Sequence, residues 1–187
     1  MGSVMYSINC SLDGYSEDAA GDFAWVVPTE QMTVSHARDI EDAAVLLYGR
    51  RMYETMAVWE TDPSLAAGGS GADRFAAAWT AVPKVVFSST LGKVFTGRTS
   101  LERSLTREAV ERAKAAGNVT IGGPALAKAA LRMGLVDVVS LVICPVIVGG
   151  GTRVLPDGLS AELRLLSEDR FDNGTVRVRY AVRPGAL

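Results

Sequence analysis

A three-layer α/β fold, with helices on both faces of a central mixed, mostly parallel sheet and an antiparallel C-terminal hairpin, is what the residue pattern predicts. Three observations carry this. Apolar runs of strand length alternate with amphipathic runs of helix length through most of the chain. The last stretch holds strand patterns alone, which places an antiparallel edge on an otherwise parallel sheet. The 187 residues, 48% hydrophobic and 21% charged, suffice for one sizeable core, and no linker or repeat divides them. One domain spanning 1–187 is therefore expected.

Val4 to Ser11 reads as the first strand and runs into a turn at Leu12-Asp13-Gly14. Glu17 to Asp22 is a polar loop. Trp25 to Pro28 is an extended bridge, because a residue before proline avoids the helical region. Thr29 is an N-cap for a helix over Glu30–Asp42, with Met32, Ala37 and Ile40 facing inward. Ala43 to Tyr48 is a nearly unbroken apolar run, as in a strand covered on both faces. Gly49-Arg50-Arg51 turns it into a second helix, Met52–Val58. Asp62 to Gly71, with Pro63 and two glycines in succession, reads as a mobile surface loop, and Asp73 to Trp79 as a short helix. Lys84 to Ser88 is a third strand. Gly92 to Leu105 stays open between loop and a short strand. Thr106 caps a helix over Arg107–Ala116. Val119, Thr120 and Ile121 form a short buried strand, Gly122-Gly123 a turn, and Pro124 opens a helix that runs to Met133. Val138 to Ile143 is a long apolar strand, and Phe171 to Val182 a final hairpin about Asp172-Asn173-Gly174.

Several chemistries are excluded by what the chain lacks. A net charge of −2 offers no electrostatic reason for a nucleic-acid or anionic-membrane partner. Cys10 and Cys144 read as two reduced core thiols, and with no secretory signal or bilayer-length apolar run the expected location is cytoplasmic. His36, the one histidine, has no helical His or Glu partner and reads as a surface or packing residue, so no metal is expected. Ser70 lacks the second glycine of a nucleophile elbow, no Gly-x-x-x-x-Gly-Lys-Ser/Thr occurs, and Gly149-Gly150-Gly151 is not a dinucleotide fingerprint.

What remains is a set of strand ends suited to phosphate. Gly49-Arg50-Arg51, Ser88-Ser89-Thr90 and Gly122-Gly123 each follow a predicted strand, and ligands of open α/β sheets gather at such carboxyl ends. Arginine offers a forked donor for a terminal phosphate, and hydroxyls add further donors. Glycines let a pyrophosphate approach the backbone at a helix N-terminus. Together the three point to a phosphorylated dinucleotide.

Five blocks, spread in order over nearly the whole chain, carry a resemblance. They are Ser11-Leu12-Asp13-Gly14, Leu47 to Glu54, Val85 to Ser89, Ile121 to Leu126, and Gly134 to Asp137 continuing through Pro145 to Thr152. With these the chain resembles the dihydrofolate reductase-like superfamily, closest to the pyrimidine reductase domain of riboflavin biosynthesis. The resemblance implies NADPH lying across the strand ends. Gly49, Arg50 and Arg51 would face phosphate, and Ser88 and Ser89 the adenosine 2′-phosphate. Gly122, Gly123, Pro124, Ala125 and Leu126 would wrap the pyrophosphate and nicotinamide ribose, with a cis peptide at the glycine pair, and Asn9 would lie under the nicotinamide. Trp25 matches a tryptophan at the mouth of the site. Glu30, five residues later, has the spacing of the acid that serves the substrate and is the candidate catalytic group; a helix N-terminus also attracts an acid by its dipole alone.

Two positions depart from the pattern. Met52 stands where a threonine hydroxyl usually meets phosphate, and Val138 where the branch commonly has glutamate. No His-x-Glu with Pro-Cys-x-x-Cys accompanies the chain, so the resemblance is to the reductase part alone, in a stand-alone form. The implied activity is an NADPH-dependent reduction of a small N-heterocyclic or conjugated substrate by a homodimer. The alternative is a non-catalytic module that binds NADP(H) or another nucleotide on the same fold.

Overall fold

In the computed structural model, which describes residues 2–67 and 69–183 and Ser70 by its backbone only, eight strands form one sheet. In chain order they are β1 (Val4–Ser11), β2 (Val45–Gly49), β3 (Lys84–Phe87), β4 (Thr99–Glu102), β5 (Val119–Gly122), β6 (Val138–Cys144), β7 (Leu163–Arg170) and β8 (Val176–Val182). Across the sheet the order is β4-β3-β2-β5-β1-β6-β8-β7. The first six positions run parallel, and β8 and β7 complete the edge antiparallel. The helices are α1 (Glu30–Glu41), α2 (Arg50–Met56), α3 (Val58–Thr61), α4 (Pro63–Ala66), α5 (Ser70–Ala81), α6 (Arg107–Ala116) and α7 (Pro124–Arg132).

Strand alternation sorts the core into two sides. Val4, Tyr6, Val45, Leu47, Val119 and Ile121 face α6 and α7, where Val110, Ala127 and Leu131 close the layer. Leu46, Tyr48 and Val86 face the other way, against Ala37 and Ile40 of α1 and Phe75 and Trp79 of α5. The Thr29 hydroxyl accepts from Met32 N at 3.3 Å, and Thr106 caps α6 through Ala109 N at 3.2 Å, so both predicted N-caps stand. Lys84 is buried where the strand pattern gave no reason for a cation. Its Nζ donates to the carbonyls of Trp79 and Val82 at 2.8 and 3.1 Å and lies 4.2 Å over the Trp79 ring, satisfying the end of α5.

Three expectations change, and one left open is resolved. The stretch read as a loop over Asp62–Gly71 is mostly helical: Asp62 caps α4 through Ser64 N, and α5 begins at Ser70; Gly68 lies outside the described residues. The glycines hide this helix because its stability comes from packing against α1 rather than from propensity. The first strand of the hairpin lies at Leu163–Arg170, before the predicted segment, and Phe171 to Thr175 form the turn. The open segment before Thr106 does hold a strand, Thr99–Glu102. No peptide among the described residues is cis, so the glycine pair is joined by a trans bond; Gly123, at φ +89°, makes the turn by itself. Cys10 and Cys144 are free and buried, and burial pushes the Cys10 thiol up to about 12. No helix is long and apolar enough to cross a membrane among the described residues.

Candidate functional site

The register brings the predicted strand ends side by side. Gly49 of β2 lies opposite Phe87 of β3, one residue before Ser88, and Tyr48 lies opposite Gly122 of β5. On the far side of β5, Gly122 lies opposite Ser7 of β1. β3, β2, β5 and β1 are therefore four consecutive parallel strands whose carboxyl ends share one rim, about 14 Å across. Ser88, Arg50, the Gly122-Gly123 turn and Asn9 fall on it in that order.

β5 stops at Gly122 while β1 continues to Ser11, and this leaves a notch. Ser3 O is bonded to Val119 N on the β5 side, and Val4 O to Asp137 N on the β6 side, so odd-numbered residues of β1 turn their backbone groups toward β5. The Asn9 N–H and C=O thus face a neighbour that has already ended. Its side chain stands on the α1 face, where Asn9 Oδ1 lies 3.1 Å from His36 Nε2.

Each phosphate candidate has a definite local setting. Arg50 Nε donates to Glu54 Oε1 at 2.8 Å and its Nη1 to Thr90 Oγ1 at 3.3 Å, which draws the half-exposed guanidinium back over the β3 end and leaves further N–H groups uncommitted. Arg51 is exposed, 3.5 Å from Glu17. The Ser88 hydroxyl accepts from Thr90 N and Leu91 N at 3.2 and 3.0 Å and lies 3.5 Å from Thr90 Oγ1, so the buried side chain is held against the Thr90 turn. Ser89 is exposed. Arg103, which the sequence reading missed, donates to Leu91 O at 2.7 Å and adds a second guanidinium to this corner. Its position becomes apparent only once β4 is laid beside β3.

The glycine pair is packed as well as open. A Cβ on Gly122 would lie 2.5 Å from Tyr48 Cε1, and one on Gly123 would lie 2.8 Å from Met52 Cβ. Met52 therefore fills, with an apolar chain, space beside the turn. α7 starts with Pro124 at its first position and carries no acidic residue in its first turn, which keeps its positive end uncompensated. Pro124 is half-buried, Ala125 exposed and Leu126 buried behind them.

The substrate-side candidates lie in the loop before α1 and at its first residue. Trp25 is partly buried, and its Nε1–H donates to Asp22 O at 3.2 Å inside a loop organised by the Asp18 and Asp22 carboxylates. Glu30 opens α1 on the stripe that meets α5: a Cβ on Gly71 would be 3.3 Å from both Glu30 Cγ and Val34 Cγ2. Two further blocks prove to be one unit. Asp13 accepts from Val148 N and Gly149 N at 3.2 and 2.8 Å, Ser16 N donates to Thr152 O, and a Cβ on Gly151 would meet Glu17 O at 2.0 Å. The Ser11 hydroxyl beside it, with those two backbone donors, holds the Asp13 carboxyl below its ordinary value. A cleft of about 350 Å³ lined by Gln31, Val34, Arg38, Asp169 and Phe171 lies across α1, away from the strand ends.

No curated protein matches the chain by sequence. Among solved structures, a protein of Shewanella sp. PV-4 assigned by name to riboflavin biosynthesis is similar at a TM-score of 0.72 and 20% identity, over 97% of this chain and 99% of that one. A pyrimidine reductase-like protein of Corynebacterium diphtheriae gives 0.65 and 14%, over 98% and 93%. The dihydrofolate reductase of Enterococcus faecalis, solved with NADP(H), gives 0.64 and 14%, over 97% and 96%. These likenesses establish the dihydrofolate reductase-like fold. The family described as "RibD C-terminal domain" matches residues 3–177, and the chain belongs to that family.

Proposed function

We propose that the protein is an NADPH-dependent reductase that delivers hydride to a small N-heterocyclic or conjugated substrate. The observation that carries the reading is the rim itself: four adjacent parallel strand ends, with a notch where β5 falls short of β1. Family membership and the NADP(H) complex of the Enterococcus faecalis enzyme support it.

The residues present suit the cofactor. Arg50, Arg103 and the Ser88 hydroxyl would hold a terminal phosphate at the β3 corner, with Ser89 and Arg51 at its edge. Gly49, Gly122, Gly123, Pro124, Ala125 and Leu126 would line the pyrophosphate and ribose path beside the start of α7. The open backbone of Asn9 would meet the carboxamide of the nicotinamide. When bound, NADPH supplies the hydride; the protein's share is to fix the ring against the substrate. Glu30 and Trp25 belong to the substrate side, Glu30 as the carboxylate that orients the heterocycle or passes it a proton.

The second reading, a module that binds NADP(H) without turnover, draws on Met52, whose side chain occupies the turn without offering a hydroxyl. Thermal unfolding with NADPH or NADH tests both. NADPH at a hundred times its Kd should stabilise by about 2.7 kcal/mol. NADH should act more weakly, and Arg50→Ala should erase the preference. Oxidation of NADPH by a panel of N-heterocycles, lost in Glu30→Gln while NADPH binding persists, separates reductase from module. No melting shift with either nucleotide at millimolar concentration refutes the cofactor assignment.

A further inference from the structure

The ring of His36 is held on both sides. Arg177, fully buried on β8, brings Nη2 to 3.1 Å from His36 Nδ1. Its Nη1 donates to Ser35 Oγ and lies 3.3 Å from Asp39 Oδ2, and Arg179 Nη2 donates to Asp39 Oδ1 at 2.6 Å. A guanidinium has only donors. Nδ1 must therefore carry a lone pair, and the proton of the neutral ring sits on Nε2, 3.1 Å from Asn9. That proton requires an acceptor, so the Asn9 amide oxygen faces the ring. The amide NH2 is left over, and it has no hydrogen-bond partner among the described residues.

We propose that His36 is a positioning residue: Arg177 fixes its tautomer, and His36 in turn locks the Asn9 carboxamide so that its N–H groups serve as donors to a nicotinamide or N-heterocyclic acceptor at the notch. The identity of that ligand rests on the reductase reading; the lock does not. Without His36 the amide could turn over and present its oxygen to the same acceptor, which would repel it. The charges around the ring keep the lock closed. Arg177 and Arg179 approach from β8, Asp39 from α1 itself, and Asp169 of β7 lies within the field of Arg177. Two guanidiniums beside one adjacent carboxylate oppose a second ring proton.

Because the chain has one histidine, ¹⁵N-histidine labelling reports this ring alone. The expected spectrum of the ligand-free protein has a bare Nδ1 and a protonated Nε2, unchanged from pH 8 to 5. An Nδ1–H tautomer, or titration near the ordinary histidine value, overturns the lock. On the ligand side, His36→Leu and Asn9→Asp should weaken NADPH binding by about tenfold or more. His36→Gln, which can accept from Arg177 and donate to Asn9, should restore most of it. A folded His36→Leu protein that binds NADPH as tightly as wild type overturns the proposed role. If wild type itself does not bind NADPH, the cofactor reading fails and the tautomer spectrum still decides the lock.

Discussion

His36 also gives the protein a measurable pH dependence. Desolvation first, then Arg177 and Arg179, push its pKa down to about 3. In the unfolded chain the ring titrates near 6.5, so below that pH the unfolded state takes up a proton that the native state refuses. Stability falls as pH drops from 6.5 toward 3, and is independent of this group above. Between pH 7 and 5 the loss is about 2 kcal/mol. Urea titrations of wild type and His36→Gln at both pH values isolate it: the variant should lack that difference, and parallel losses in the two proteins would contradict the assignment. Asp39 opposes this trend: burial raises its carboxyl despite Arg177 and Arg179, so the native state takes up that proton more readily than the unfolded chain as pH falls.

The strand-turn-helix element at β5 and α7 depends on its second glycine. Gly123 sits at φ +89°, a region closed to side chains, and any Cβ there would press on Met52. Gly123→Ala should cost about 2–4 kcal/mol, combining backbone strain with overpacking, and should lower the urea midpoint in proportion. The companion Met52→Ala removes the Cγ and Sδ contacts but keeps Met52 Cβ, the nearest atom, and leaves the dihedral, so the double variant should recover only a small part of the loss. Full recovery would mean that packing, and not φ, demands glycine there.

At the scale of the whole molecule, β7 is an edge strand whose Leu163, Leu165 and Leu166 are each more than 40% exposed. An exposed apolar edge is a template for pairing with another chain. A homodimer through β7 would cover it. Sedimentation should give a dimer that Leu165→Glu converts to monomer; a wild-type monomer at all concentrations would end the idea. On the neighbouring β8, Val176, Val178 and Tyr180 alternate with Arg177 and Arg179, and α1 covers the arginine face and buries Arg177 completely.

Local signals reached far into this protein. Apolar runs, Thr29 and Thr106 caps, and the glycine turns placed β1, β2, β3, β5 and β6 and the helices between them, because each rests on contacts near in sequence. The strand ends that share the rim were legible for the same reason. Of α5 the middle, Asp73–Trp79, was legible and the first turn was not, since Gly69 and Gly71 mask a helix start that packing against α1 holds in place. Nor was the partnership of Asn9, His36 and Arg177, whose members lie 27 and 141 residues apart. Sequence by itself determined the fold class and the rim; only the tertiary structure decided which polar side chains are buried together, because burial of a charge depends on what covers it and not on its neighbours in the chain.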